Sequence, residues 1–343
     1  SNFYNLNENA AKCTHICWGK AARDRIVKNG GPENNAVITG AIHLDFFLPQ
    51  FESLFKTKEQ LAEEFGLDRD KKWFCYISSF SCAQMDDKEI KELNDMTNLD
   101  FTGFKAVGNR SMRVTLQWFD QLLDEHPEIE LIYRPHPSEW NSPPLDEMCA
   151  KHPNFHVITN YTVKQWIKVS DLLGTWLSTS IAEIYYAGKN CVVIRPERLY
   201  DDYDPVTYEN CTAADSYEKL NAYVNDPNMD FPIDIPTLKS HYDVIEGYPS
   251  YMRICDLLEE VYKNPPRDHP FSEGYKPHFN VIKFIALWVF SVMRFFHINP
   301  HWFDFLGKKL TDTTERMINY HAKAHVDKKD LNLLVAQMRS CIE

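Results

Sequence analysis

The chain has 343 residues, 44% of them hydrophobic, and a formal net charge of −12. That length suits two domains, or one domain with appendages, and the acidic balance excludes a general nucleic-acid binder while leaving room for a local basic pocket. Nine cysteines, an odd number without a metal-type CxxC pair, read as free thiols in a reducing compartment.

Residues 1–12 are polar and lack the apolar core of a signal peptide, so a cytoplasmic protein is expected. Thr14 to Cys17 reads as a short strand, Ala21 to Lys28 as a helix closed by Asn29-Gly30-Gly31, and Ala36 to Thr39 as a second strand entering the segment TGAIHLD, residues 39–45. Residues 1–45 are accordingly expected to be the remnant of an N-terminal domain plus an interdomain segment. Phe46 to Phe65 reads as an acidic, aromatic helical connector, and Trp73 to Ile77 as the first strong strand. That strand runs into Ser78-Ser79-Phe80-Ser81. Serines in a turn need no ligand, yet this turn lies at a strand's carboxyl end, where Ser79 can line a cleft.

Ser111 to Glu125 places Val114, Trp118, Leu122 and Leu123 at helical spacing, as a core-facing helix does. Glu130 to Tyr133 is the next strand and leads straight into Arg134-Pro135-His136-Pro137. A histidine at a strand exit is by default a satisfied structural residue. Two flanking prolines restrict its backbone, however, and a permanent cation stands two residues away, so binding a phosphate through Arg134 and His136 is the simplest polar task for this motif.

Phe155 to Thr159 reads as a strand and Val163 to Lys168 as a helix capped by Thr162. Leu172 to Pro196 then forms a strand, a hydroxyl-rich turn of Ser178, Thr179 and Ser180, a helix from Ile181 to Ala187 stopped by Gly188, and a strand from Cys191 to Ile194. A ligand of such a unit sits beyond the strands' carboxyl ends, where backbone amides and these hydroxyls would hold a phosphate. The bland alternative is a capping box, with Ser180 and Glu183 merely satisfying the helix start. Asp201-Asp202-Tyr203-Asp204 reads as a solvated turn, and no metal site is expected. The repeated strand-helix order implies an α/β fold, a Rossmann-like parallel sheet with helices on both faces.

A helix from Ser216 to Val224 and an amphipathic one from Ser250 to Tyr262 lead to Pro265-Pro266, a second boundary that makes residues 46–265 one domain and 266–343 a helical C-terminal tail. In the tail, residues 279–298 are apolar except for a stripe of Asn280, Lys283, Ser291, Arg294 and His297. Such a helix must bury its wide face, in a membrane interface or against protein. Residues 311–342 read as a charged helical segment suited to a partner or to oligomerisation.

Arg134-Pro-His136-Pro, followed about forty residues later by Ser178-Thr-Ser180 and Glu183, resembles the nucleotide-binding C-terminal half of GT-B glycosyltransferases. The likeness is to the bacterial surface-carbohydrate type with HP and S/T motifs, the Kdo-, sialyl- and glycerol-phosphate-transferring enzymes. TGAIHLD is similar to their interdomain segment, and the resemblance spans Thr14 to Asn264. It implies that His136 and the hydroxyls of Ser178 to Ser180 meet the donor's phosphate and that Glu183 holds the ribose. It further implies a nucleotide-sugar donor, CMP- or CDP-linked in preference to UDP-linked, with no other cofactor and no metal. A glycan or lipid-linked acceptor at the inner face of the membrane would complete the reaction. The base comes from the acceptor domain in that family, so no residue here is assigned to it. An epimerase of the same architecture, or a non-catalytic nucleotide-binding partner, is the alternative. The epimerase would need acid and base groups in a complete two-domain cleft, and the sequence displays no matching set.

Overall fold

Where β-branched and aromatic residues cluster in short runs, the chain is extended, and each intervening helix turns one apolar side inward. The computed structural model describes residues 13–97, 99–139, 142–199, 205–264, 281–307 and 328–342, with scattered positions between 311 and 318. The chain divides into two units, Ser1–Pro265 and Pro266–Glu343.

The first unit starts with a parallel pair, β1 (His15–Cys17) and β2 (Ala36–Ile38), joined through helix α1 (Lys20–Lys28). Residues 42–54 then form two 3-10 segments in place of the continuous helix expected from Phe46, and only α2 (Lys58–Phe65) is α-helical. The break has a local cause. Pro49 forces Leu48 into an extended conformation (φ −68°, ψ 147°), which no helix passes through. Thr57 and Gln60 close a capping box at the start of α2.

Six parallel strands follow: β3 (Lys72–Ile77), β4 (Ile129–Arg134), β5 (Phe155–Val157), β6 (Leu172–Thr175), β7 (Val192–Ile194) and β8 (Ala213–Ala214). Their spatial order is β5-β4-β3-β6-β7-β8. Phe74 of β3 stands beside Leu131 of β4 on one side and Leu172 of β6 on the other. Counted from β3, this is the doubly wound Rossmann-like order, with its reversal between β3 and β6.

Helices α3 (Asp87–Met96) and α4 (Phe101–Glu125) connect β3 to β4, α5 (Pro143–Lys151) connects β4 to β5, α6 (Val163–Val169) connects β5 to β6, and α7 (Ser180–Tyr186) connects β6 to β7. After the sheet come α8 (Tyr217–Asn225), α9 (Ile235–His241) and α10 (Ser250–Lys263). Helix α4 begins ten residues before the Ser111 start expected from its apolar spacing. Asp100 caps it through the Gly103 N–H, and a Cβ at residue 103 would collide with that carboxylate.

The two-residue period of the strands sorts their side chains into two cores. Phe74, Tyr76, Leu131 and Tyr133 pack with Phe119 of α4 and Met148 of α5. Trp73, Cys75, Ile77 and Ile132 pack with Leu61 of α2, Trp166 of α6 and Ile181 of α7. Helices thus cover both faces, and truncating one of the fully buried leucines, such as Leu61 or Leu122, is expected to cost about 2–5 kcal/mol.

The second unit contains α11 (Val281–Phe295), a 3-10 segment (Pro300–Leu306) and α12 (Lys328–Ile342). Among the described residues no helix is long and apolar enough to cross a membrane. The readings of residues 1–12, of Asp201 to Asp204 and of the start of the tail helix at Phe279 and Asn280 fall outside the described residues.

Candidate functional site

Because β3 to β8 are all parallel, their carboxyl ends share one edge, and the loops leaving β3 and β6 flank the crevice where the strand order reverses. The β4 exit, carrying His136, lies on the other side of β3 from the β6 exit, carrying Ser178 to Ser180. Two strand spacings, about 10 Å, separate β4 from β6. The exits are tied together. The Ser78 N–H donates to the Arg134 carbonyl (2.9 Å), and the Leu177 N–H donates to Ser79 Oγ (3.1 Å).

The HP segment is a turn closed by the Glu139 N–H donating to the His136 carbonyl (2.7 Å). Glu139, not singled out in the sequence, is buried, and its carboxylate accepts from Ser78 Oγ (2.8 Å), the Phe80 N–H (2.6 Å) and Tyr133 Oη (3.3 Å). Burial pushes its pKa up, and these hydrogen bonds pull the other way. The carboxylate therefore clamps the turn onto the β3 exit. Its signal in the sequence was an acid three residues after the histidine, but its partners come from β3 and β4 and appear only in the fold.

His136 is exposed, and its Nδ1 accepts the Ser138 N–H (3.2 Å). That bond selects the neutral tautomer with the proton on Nε2, and partial desolvation lowers the ring's pKa. Among the described residues Nε2 has no partner, so the ring presents an unspent donor.

Arg134 stands elsewhere than expected. It follows Ile132 in the strand alternation onto the α6 face, where its guanidinium donates to the carbonyls of Ile158 (3.0 Å), Asn160 (2.6 Å) and Tyr161 (2.7 Å) and lies over the Trp166 ring. It braces the loop after β5, whose Tyr161 has φ +62°. Three of the guanidinium's N–H groups are engaged with these carbonyls, so the role its contacts show is bracing this loop.

The capping box proposed for Ser180 and Glu183 does not form. Thr179 is already in the right-handed helical region and makes no side-chain cap, so Ser180 is the first helical residue instead of the cap. The first amides are also engaged: the Ser180 N–H donates to Ser178 Oγ (3.2 Å), that of Ile181 to the Ser178 carbonyl (3.1 Å) and that of Ala182 to the Thr179 carbonyl (3.2 Å). What the turn leaves available among the described residues is the hydroxyls of Thr179 and Ser180 and the N–H groups of Ser178 and Thr179. Tyr208 Oη steadies the turn from the far side by donating to the Ser178 carbonyl (2.6 Å). At the other end of α7, Gly188 (φ +70°) closes a Schellman motif, the Lys189 N–H reaching the Ile184 carbonyl and the Gly188 N–H that of Tyr185.

Glu183 is buried and paired with Lys164 of α6 at 2.8 Å. Close by is His43, from the TGAIHLD segment, its ring against Trp18 and Tyr242. Desolvation lowers the His43 pKa, with Glu183 opposing and Lys164 adding to the shift. Asp45 anchors the same segment by accepting the N–H groups of Ser250 (3.2 Å) and Tyr251 (2.7 Å) at the start of α10. Neither Lys164 nor His43 was legible as a site residue, since only the fold brings them to Glu183.

A separate groove between α4 and α5 has a floor of Met112, Leu116 and Met148. It lacks the imidazole and hydroxyl groups of the switch-point crevice, and chemistry, not concavity, singles out the crevice.

The fold and this edge define a Rossmann-like α/β chain with a polar switch-point crevice. No protein-family model matches the chain, and no curated protein matches it in sequence. Among solved structures it is similar to the UDP-GlcNAc 2-epimerase from Neisseria meningitidis bound to UDP-GlcNAc, with 13% identity over 73% of this chain and 61% of that one and a TM-score of 0.44. It is similar to the UDP-GlcNAc 2-epimerase from Methanocaldococcus jannaschii, with 14% identity over 69% of this chain and 59% of that one and a TM-score of 0.44. It is also similar to a variant of the wall teichoic acid polymerase TagF soaked with CDPG, with 14% identity over 72% and 56% and a TM-score of 0.46. The chain spans about three fifths of the length of these proteins.

Proposed function

We propose that this chain is a metal-independent GT-B glycosyltransferase, or the donor-binding part of one, moving a sugar from a nucleotide-activated donor in bacterial surface polysaccharide or lipopolysaccharide synthesis. The observation that carries the reading is the pairing, across β3, of a neutral imidazole with an unspent Nε2–H and the unspent hydroxyls of Thr179 and Ser180.

In such a transfer the bond from the anomeric carbon to the donor phosphate breaks, a bond to the acceptor oxygen forms, and the nucleotide departs with the electron pair. The acceptor's proton goes to a base outside the groups named here. The growing charge on the departing phosphate is met by His136 Nε2–H, the two hydroxyls and the amides of Ser178 and Thr179. A preorganised donor of this kind, which need not reorient as charge develops, is worth about 10²–10³ in rate. Glu183, paired through Oε1 with Lys164, is the group this reading gives to a ribose hydroxyl. A CMP- or CDP-linked donor and a glycan or lipid-linked acceptor fit this reading, with the chain working in the cytoplasm at the inner face of the membrane.

The test is a thermal-shift panel of CMP, CDP, UDP and GDP. A cytidine nucleotide at a hundredfold excess over its Kd is expected to stabilise the fold by about 2.7 kcal/mol, and His136→Ala is expected to abolish the shift. No response to any of the four overturns the reading, and a response to UDP alone moves the donor to the uridine class.

A further inference from the structure

Helix α11 leaves an apolar stripe bare. Val281, Phe284, Ile285, Trp288 and Phe295 recur at helical spacing and are all exposed, Trp288 at 62%. Past the helix, Phe296, Trp302 and Phe305 are exposed too, Phe305 at 80%. An uncovered run of this kind marks an interaction surface.

Length, charge and area identify the occupant. Fifteen residues rise about 22 Å, short of the about 30 Å of a hydrocarbon core, so α11 cannot span a bilayer but can lie along one. Within residues 281–305 the sequence places Lys283 and Arg294 against Asp304 alone, in a chain of net charge −12. A basic segment on an acidic protein is complementary to an anionic surface. Ser291, the polar interruption on the exposed side, is already satisfied, its Oγ donating to the Leu287 carbonyl (2.8 Å). A second copy of the chain fits less well. One helix face of about 22 by 10 Å is small beside the about 800 Å² that each partner of a stable dimer contributes.

We infer that residues 281–305 dock the chain on an anionic lipid bilayer. Helix α11 lies in the interfacial plane, with Phe284, Trp288 and Phe295 among the acyl chains and Arg294 at the headgroups. Nothing in this surface depends on the crevice of the first unit.

Flotation of the full chain with phosphatidylglycerol-rich and with pure phosphatidylcholine vesicles tests it. The chain is expected to float with the anionic vesicles, to bind the neutral ones about tenfold less, and to lose part of its binding in high salt. The double variant Phe284→Glu/Trp288→Glu is expected to lower partition by about tenfold or more, with its far-UV circular dichroism and nucleotide-induced thermal shift unchanged. Failure to float with either vesicle, or equal flotation of the double variant, overturns the inference. So does light scattering that shows a dimer in solution which the double variant splits.

Discussion

At the amino-terminal edge of the sheet, His156 of β5 bonds Glu130 of β4 at 2.5 Å, and the same carboxylate holds Lys71 at 3.3 Å. Nearby, Asp171 accepts the Trp73 N–H and Lys58 Nζ, both at 2.8 Å. At the carboxyl edge of the same strands, His136 pairs with no carboxylate among the described residues, and its one ring contact leaves Nε2 open. The carboxyl edge is nonetheless well organised, because Glu139, Ser78 and Tyr133 spend their polar groups on fixing the loops that carry the open ones. Charges paired with one another contribute to stability, and groups held in place but unpaired are those the proposed donor would meet.

Four variants or conditions test this contrast, in descending order of effect. Glu139→Ala strands a buried hydroxyl pair and an amide and is expected to cost about 3 kcal/mol in urea unfolding, along with the nucleotide response. A mild loss would mean the clamp is dispensable. Glu130→Ala, on the opposite edge, is expected to cost about 2 kcal/mol while leaving the nucleotide response intact; a weakened response would erase the distinction between the edges.

The third concerns pH. Burial raises the Glu139 pKa above its ordinary value of 4.5, so between the unfolded and folded values the native state binds more protons than the unfolded one. Its contribution to stability is fully present below pH 4.5 and is lost as pH rises through the folded value. Unfolding measured across that range is expected to show this slope in the wild type and not in Glu139→Gln. The smallest effect belongs to Ser180→Ala. The hydroxyl caps nothing, so stability should move by less than about 0.5 kcal/mol while nucleotide affinity falls about two- to tenfold.

The fold was more legible than the site. Apolar runs marked all the long strands, and Gly188 marked a real helix end, since both signals act over a few residues. Helix α3 and the first ten residues of α4 were missed although their signals are local: Ile90, Leu93 and Met96, and then Phe101, Phe104 and Val107, recur at helical spacing, and Asp86 and Glu89 complete a capping box. At the site, His136 and the 178–180 turn were placed on one edge by topology alone. The carbonyl partners of Arg134 were not legible, because a sequence shows that strand residues alternate but not which face each one meets. Ser180 and Glu183 spelled a capping box that a one-residue earlier helix start cancels. Glu139, Lys164 and His43 acquire their meaning from partners tens of residues away.

The most direct measurement is a ring-nitrogen NMR titration of His136, with His156 as the internal control, with and without CDP. The donor-site reading has His136 titrate below its ordinary value of 6.5 in the free protein, with CDP shifting its Nε2 resonance and raising that pKa. An unmoved His136 under saturating nucleotide would contradict it.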